Sequence, residues 1–161
     1  MIKIKDFSEM FPFENEIVMK QIEGLSHAES LIQPQPGGNC MNWVLGHLDD
    51  SLLSLLKILD GKMPENLPDL KRYGYGSDPV REDGPGVLPL KELMSIYSLL
   101  TQAITDRLSQ MTEADFEEEI DLWSGKTNRG YGALFYFFHT TYHIGQLEQG
   151  RNLAGKTEKV I

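Results

Sequence analysis

Between Cys40 and Leu59 the apolar residues Met41, Val44, Leu45, Leu48, Leu52, Leu55, Leu56 and Leu59 recur at steps of three and four. That is the period of a helix with one continuous apolar face, and such a face must be buried against other elements. Asn39 offers a side-chain oxygen suited to capping its first turn, and Gly61 follows as a stop. Three further segments carry the same period. The first runs from about Phe13 to Leu25, with Ile17, Val18, Ile22 and Leu25 on one side. The third starts near Pro89, a residue suited to a first turn, and reaches about Met111 through Leu93, Ile96, Tyr97, Leu100, Ile104 and Leu108. The fourth spans about Gly130 to Leu153, closed by Gly155. Thr112 with Asp115 reads as a capped turn, and Glu117 to Asn128 is polar without a clear period. Four long amphipathic helices in 161 residues predict an all-α fold, a four-helix bundle formed as a single domain over residues 1–161.

The connection from Gly61 to Leu88 holds five glycines and four prolines in 28 residues. The second helix is roughly 30 Å long, and a connection of this length reaches up to about 90 Å when extended. It can run back along the bundle and leave the second and third helices parallel. Composition narrows the function. Lys and Arg number 15 against 24 Asp and Glu, a formal net charge of −9. A surface that tracks phosphates gains its affinity from lysine and arginine, so no nucleic-acid partner is expected. No apolar run is long enough to span a membrane, and the N-terminal stretch lacks the apolar core of a signal peptide. The single cysteine, Cys40, forms no internal disulfide, and a cytoplasmic protein is expected.

Four histidines stand in the chain: His27, His47, His139 and His143. His139 and His143 lie one helical turn apart on one face, about 5–6 Å between Cβ atoms. Two imidazoles so placed can share one metal ion, at about 2.0–2.1 Å from each nitrogen. The same spacing occurs where histidines simply line a core edge. On the helical wheel Phe135, His139, Tyr142, Gln146 and Gly150 share a sector with His143 at its margin. Gly145 and Gly150 each cost about 1 kcal/mol in a helix interior relative to alanine, which close packing or room for another group offsets. His47 is the candidate third ligand. It sits roughly 12 Å into the second helix, and His143 roughly 15 Å before the end of the fourth. Antiparallel packing brings these two level; parallel packing brings His139 level with His47 almost as well. His47 also lies about 115° from the centre of its leucine stripe, on the flank where a bundle crevice meets solvent. His27, in a turn-like stretch, is expected at the surface.

The segment Asn39-Cys-Met-Asn-Trp43-Val-Leu-Gly46-His47-Leu-Asp-Asp50, with His139-Thr-Thr-Tyr-His143-Ile-Gly145-Gln146-Leu, resembles the DinB-like (YfiT-like) superfamily. The resemblance covers most of the chain by layout: a first helix, a histidine helix, a long crossover, a third helix and a paired-histidine helix. It implies an up-down-down-up bundle with the long crossover between helices two and three. It also implies one divalent metal held by His47, His139 and His143. Members with assigned activity include thiol transferases that use bacillithiol or mycothiol and a mycothiol-dependent maleylpyruvate isomerase.

Three neutral imidazoles leave positions open for water or substrate, as in catalytic sites. Zinc, nickel, iron and manganese all suit such a site. A metal there can favour the thiolate of a low-molecular-weight thiol co-substrate, which attacks an electrophilic small-molecule substrate. It can equally activate water, giving a hydrolase. A non-catalytic helical stress-associated module is the third possibility. Gln146, three residues after His143, can orient a ligand or substrate or remain solvated. Asp50, three residues after His47, can accept its second imidazole N–H or join a surface ion pair. Tyr142 can donate into the cavity or pack in the core, as can Trp43. Cys40 reads as a buried small residue rather than a nucleophile. In the crossover, Lys71 and Arg72 form a basic cluster beside Tyr73 and Tyr75, placed to meet the carboxylates of an acidic thiol. Ala133, Phe137, Thr141 and Ile144, opposite the histidines, make the fourth helix apolar on a second side; homodimerisation or packing of the loops can cover it, and a homodimer is expected.

Overall fold

The computed structural model describes residues 3–123 and 125–161. Met1 and Ile2, the start of the stretch read above for a leader, and Ser124 lie outside the described residues. The elements are α1 (Ile4–Ile22), α2 (His27–Ser30), α3 (Met41–Ile58), α4 (Leu90–Gln110), α5 (Glu113–Glu117), β1 (Glu119–Leu122), β2 (Gly125–Asn128) and α6 (Arg129–Leu153), with a short 3-10 turn at Lys71–Tyr73. Among the described residues no helix is long and apolar enough to cross a membrane.

The side chains that meet between helices give the direction of each. Near the end of α3, Arg129 of α6 donates to the Ile58 carbonyl, and near its start Gly150 packs on Met41, so α3 and α6 are antiparallel. Phe11 meets Phe137, and Arg151 reaches the Gln21 carbonyl, so α1 runs parallel to α6. Arg107 of α4 donates to the Leu59 carbonyl while Asn42 of α3 donates to that of Leu88, so α3 and α4 are parallel. The bundle is therefore up-down-down-up, and the long crossover is what permits the parallel pair.

That crossover is bound to α3 along its length. The Tyr73 hydroxyl donates to Asn42 Oδ1 at 3.1 Å and accepts the Leu88 N–H at 2.7 Å. Trp43 Nε1 donates to Ser77 Oγ at 3.1 Å. The leucine stripe faces the core while the crossover covers the flank, so Met41 through Asp49 are all buried.

Local expectations differ from the structure in four places. α1 begins at Ile4, well before Phe13, because Ile4, Phe7 and Phe11 continue the buried stripe across Pro12. Pro12 faces solvent and removes only one helical hydrogen bond. Cys40, not Asn39, is the N-cap of α3; its thiol turns into the core and lies 3.3 Å from the Val80 carbonyl. The polar stretch after α5 is an antiparallel hairpin, with Glu119 opposite Asn128 and Leu122 opposite Gly125. The second apolar face of α6, on which a homodimer was expected, is covered by α1: Ala133 and Ile144 are buried, Phe137 packs edge-on against Phe11, and Thr141 donates to Glu14 at 2.8 Å. Thr112 does cap α5, with Asp115 closing the box.

Candidate metal centre

The antiparallel pairing of α3 and α6 sets His47 against both histidines of the last helix. His139 Nε2 lies 3.2 Å from His47 Nε2 and 3.2 Å from His143 Nε2. The ligand atoms of the three residues all fall within 4.8 Å of one another, the histidine arrangement that can hold a metal ion.

Each ring is turned by what its other nitrogen and its faces meet. His47 Nδ1 is 2.9 Å from the Tyr73 carbonyl, so Nδ1 carries the proton and Nε2 keeps its lone pair. His143 Nδ1 lies 2.7 Å from Gln146 Oε1, one turn along, with the same consequence. Among the described residues His139 Nδ1 is buried without a partner. Trp43 stacks on His47 with ring centroids 4.8 Å apart, and Phe135 stacks on His139 at 5.9 Å. The backbone carbonyl that holds His47 arrives because of Gly46. A Cβ there would lie 2.3 Å from the Tyr73 ring, so only glycine lets the tyrosine lie flat against α3.

Burial, reinforced by the neighbouring His143 and His47, pushes His139 down to about 4. His143 is lowered too, chiefly by burial. Both rings are thus neutral near pH 7 and are competent donors. Two fixed Nδ1–H groups leave lone pairs on His47 and His143 aimed into the cluster, and the one proton His139 could offer satisfies only one of them. A cation satisfies all three. Nitrogens each about 2.1 Å from one ion are roughly 3.0 Å apart at a right angle and roughly 3.4 Å apart at a tetrahedral one; the observed 3.2 Å lies between. The residues fit a divalent metal.

One side of the cluster opens into a cavity of about 540 Å³, lined by His47, Asp50, Ser51, Ser54, Tyr75, Trp123, Phe135, Tyr136 and His139. Asp50 faces this cavity and does not hold His47, since the Tyr73 carbonyl already takes that N–H. Burial raises the Asp50 carboxyl above its ordinary value. Tyr142 is neither core nor cavity: it is 61 % exposed and meets His143 edge-on from outside. Arg72 donates to the carbonyls of Asp78 and Pro79, so the crossover uses it to hold its own fold, while Lys71 lies 3.6 Å from Asp69 at the exposed surface. Tyr75 is its contribution to the cavity. His27 lies away from the centre and accepts the Leu90 N–H at the start of α4. Gly150 is explained by Met41; Gly145 faces open space, and nothing in the structure explains it.

The residues that reasoning from sequence missed are Tyr73, whose main chain does the work, and Trp123, which the hairpin sets 4.4 Å from the Phe135 ring. The alternation Glu119, Ile120, Asp121, Leu122 was the available signal for the strand that delivers it.

A helical bundle carrying an open three-histidine centre is the class of protein that fold and site define. The chain belongs to the DinB superfamily, whose family model matches residues 16–147. Its fold is similar to the crystal structure of a conserved protein of a locus from Enterococcus faecalis, with TM-score 0.68 and 16 % identity over 96 % of this chain and 98 % of that one. No curated protein matches the chain.

Proposed function

We propose that this protein is a divalent-metal-dependent enzyme that activates a low-molecular-weight thiol, of the bacillithiol type, for transfer to an electrophilic small molecule. The observation that carries this is the convergence of three imidazole Nε2 atoms at the wall of a cavity large enough for a small substrate. His47, His139 and His143 would hold the metal, with zinc, nickel, iron or manganese all compatible with imidazole. When bound, such an ion favours the thiolate over the thiol at neutral pH.

The chain's own residues do the rest. The Tyr73 carbonyl and Gln146 keep two imidazoles in the donor tautomer and at the right angle. Phe135, Tyr136 and Trp123 exclude water and offer an apolar wall to the electrophile. In the transfer the thiol gives its proton to water, a sulfur–carbon bond forms as the bond from that carbon to its leaving group breaks, and the leaving group departs with the electron pair of the broken bond. Untagged protein loaded with zinc, incubated with a generic aryl halide and a panel of thiols, should form conjugate that is lost on chelation. Stoichiometric zinc without metal-dependent conjugate for any thiol would overturn the thiol-transfer assignment, and metal-dependent hydrolysis of an ester panel would replace it with the hydrolase.

A further inference from the structure

The outward side of α6 is unlike that of the other long helices. Glu9, Glu16 and Lys20 face solvent on α1, and Lys91, Glu92 and Asp106 on α4. On α6 the solvent side is a stripe at steps of three and four, formed by Tyr131, Leu134, Phe138, Tyr142 and Gly145. From Gly130 to Leu147 the helix holds no Asp, Glu, Lys or Arg. Tyr131, Phe138 and Tyr142 are each more than half exposed, and Leu134 more than a third. These four side chains present roughly 450 Å² of largely apolar surface, a patch of the size that marks an interaction site. Thr141, Gly145, Gln149 and Leu153 extend it on the same side, toward the ~800 Å² that each partner brings to a standard interface.

Charge selects the occupant. Two copies that each carry −9 repel wherever charged faces approach, and this stripe lets them meet without apposed like charges. It also lacks the basic flank of a helix that lies on a membrane. We propose that α6 is the seam of a homodimer, in which two copies of the stripe pack antiparallel about a two-fold axis at the height of Thr140. Phe138 and Tyr142 lie about 3 Å to either side of that height, so the axis sets Phe138 of each copy against Tyr142 of the partner subunit. Leu134 falls within one residue's rise of Gly145 of the partner subunit. Gly145 has nothing within 4 Å of where its Cβ would stand, and in the pair its bare backbone is the hollow that the leucine enters. Tyr142 meets the His143 ring edge-on, so the seam also shields the outer side of the metal centre. It lies beside the face that α1 covers, and it forms whatever reaction the cavity supports.

Sedimentation equilibrium of the untagged full chain at tens of micromolar should give twice the chain mass. Phe138→Glu and Tyr142→Lys alter side chains already exposed in a single copy, so each variant should stay helical by circular dichroism and fall to the chain mass. Mixed in equal amounts, the two should recover the doubled mass. The introduced carboxylate of one copy then faces the introduced ammonium of the other, while the second Phe138–Tyr142 contact is intact. A monomeric wild type, or a dimer that survives Phe138→Glu, overturns the homodimer on this face. Variants that stay monomeric when mixed overturn the antiparallel register. A monomeric wild type that sediments with phosphatidylcholine vesicles gives the stripe to a lipid surface instead.

Discussion

Gly46 shows how one missing methyl group reaches the centre of the site. It lets the Tyr73 ring lie on α3, and the Tyr73 carbonyl then fixes the His47 tautomer at 2.9 Å. Gly46→Ala must push that ring away, and loss of such a supporting hydrogen bond typically costs about 10–100-fold in metal affinity. The variant is expected to keep its helical circular dichroism while zinc affinity, measured by competition with a chromophoric chelator, falls by that factor. An unchanged affinity would show that the carbonyl does not position His47. On α6 the conservative replacement separates orientation from mere packing. Gln146→Ala should weaken zinc binding about ten-fold, and Gln146→Glu, which can still accept the His143 N–H, should recover most of it. The histidines themselves were legible in the sequence, because a helical period converts spacing into direction. The groups that steer them were less so: Gln146 declares itself as a side chain one turn on, but Tyr73 acts through a main-chain oxygen on a loop, and no residue type announces that.

At the scale of elements, the long helices were readable because each repeats its apolar signal over several turns. The first nine residues of α1 were not, since Pro12 and the scattered Ile4, Phe7 and Phe11 imitate a break. In β1 the alternation of Glu119, Ile120, Asp121 and Leu122 spans only four residues, too few repeats to set it apart from a polar loop, and β2 shows none. Yet that hairpin places Trp123, which is 67 % exposed and lies against Phe135 at the mouth of the cavity. Trp123→Ala should therefore leave zinc stoichiometry untouched while slowing metal-dependent conjugate formation several-fold. A simultaneous loss of zinc would mean that the hairpin supports the centre itself rather than its cavity.

Across the whole molecule, α1 brings a carboxyl into the interior. Glu14 is 3 % exposed, and burial pushes it up to about 8 from an ordinary 4.5, opposed only by its hydrogen bond to Thr141. Between those values the folded chain holds a proton that the unfolded chain has released, so stability falls as pH rises from 4.5 to about 8. His139 acts oppositely: lowered from 6.5 to about 4, it makes the metal-free fold lose stability as pH falls through that window. The two slopes oppose each other in mildly acidic solution, and above about 6.5 the decline due to Glu14 remains, joined by that of Asp49, whose carboxyl burial holds well above its ordinary value. Urea denaturation should show that decline, to which Glu14 contributes about 1.4 kcal/mol per pH unit, and Glu14→Gln should make it shallower by that share. A wild-type slope that persists in Glu14→Gln would place the responsible group elsewhere.

The bundle, its crossover and its cavity all serve the three converging imidazoles, and metal stoichiometry tests that convergence most directly. Elemental analysis of untagged wild type and of His47→Ala, His139→Ala and His143→Ala, each dialysed against zinc, should give one ion per chain in wild type. Each variant should lose most of it while remaining helical. A wild-type chain that retains no ion, or three variants that all keep a full one, would contradict the three-histidine centre.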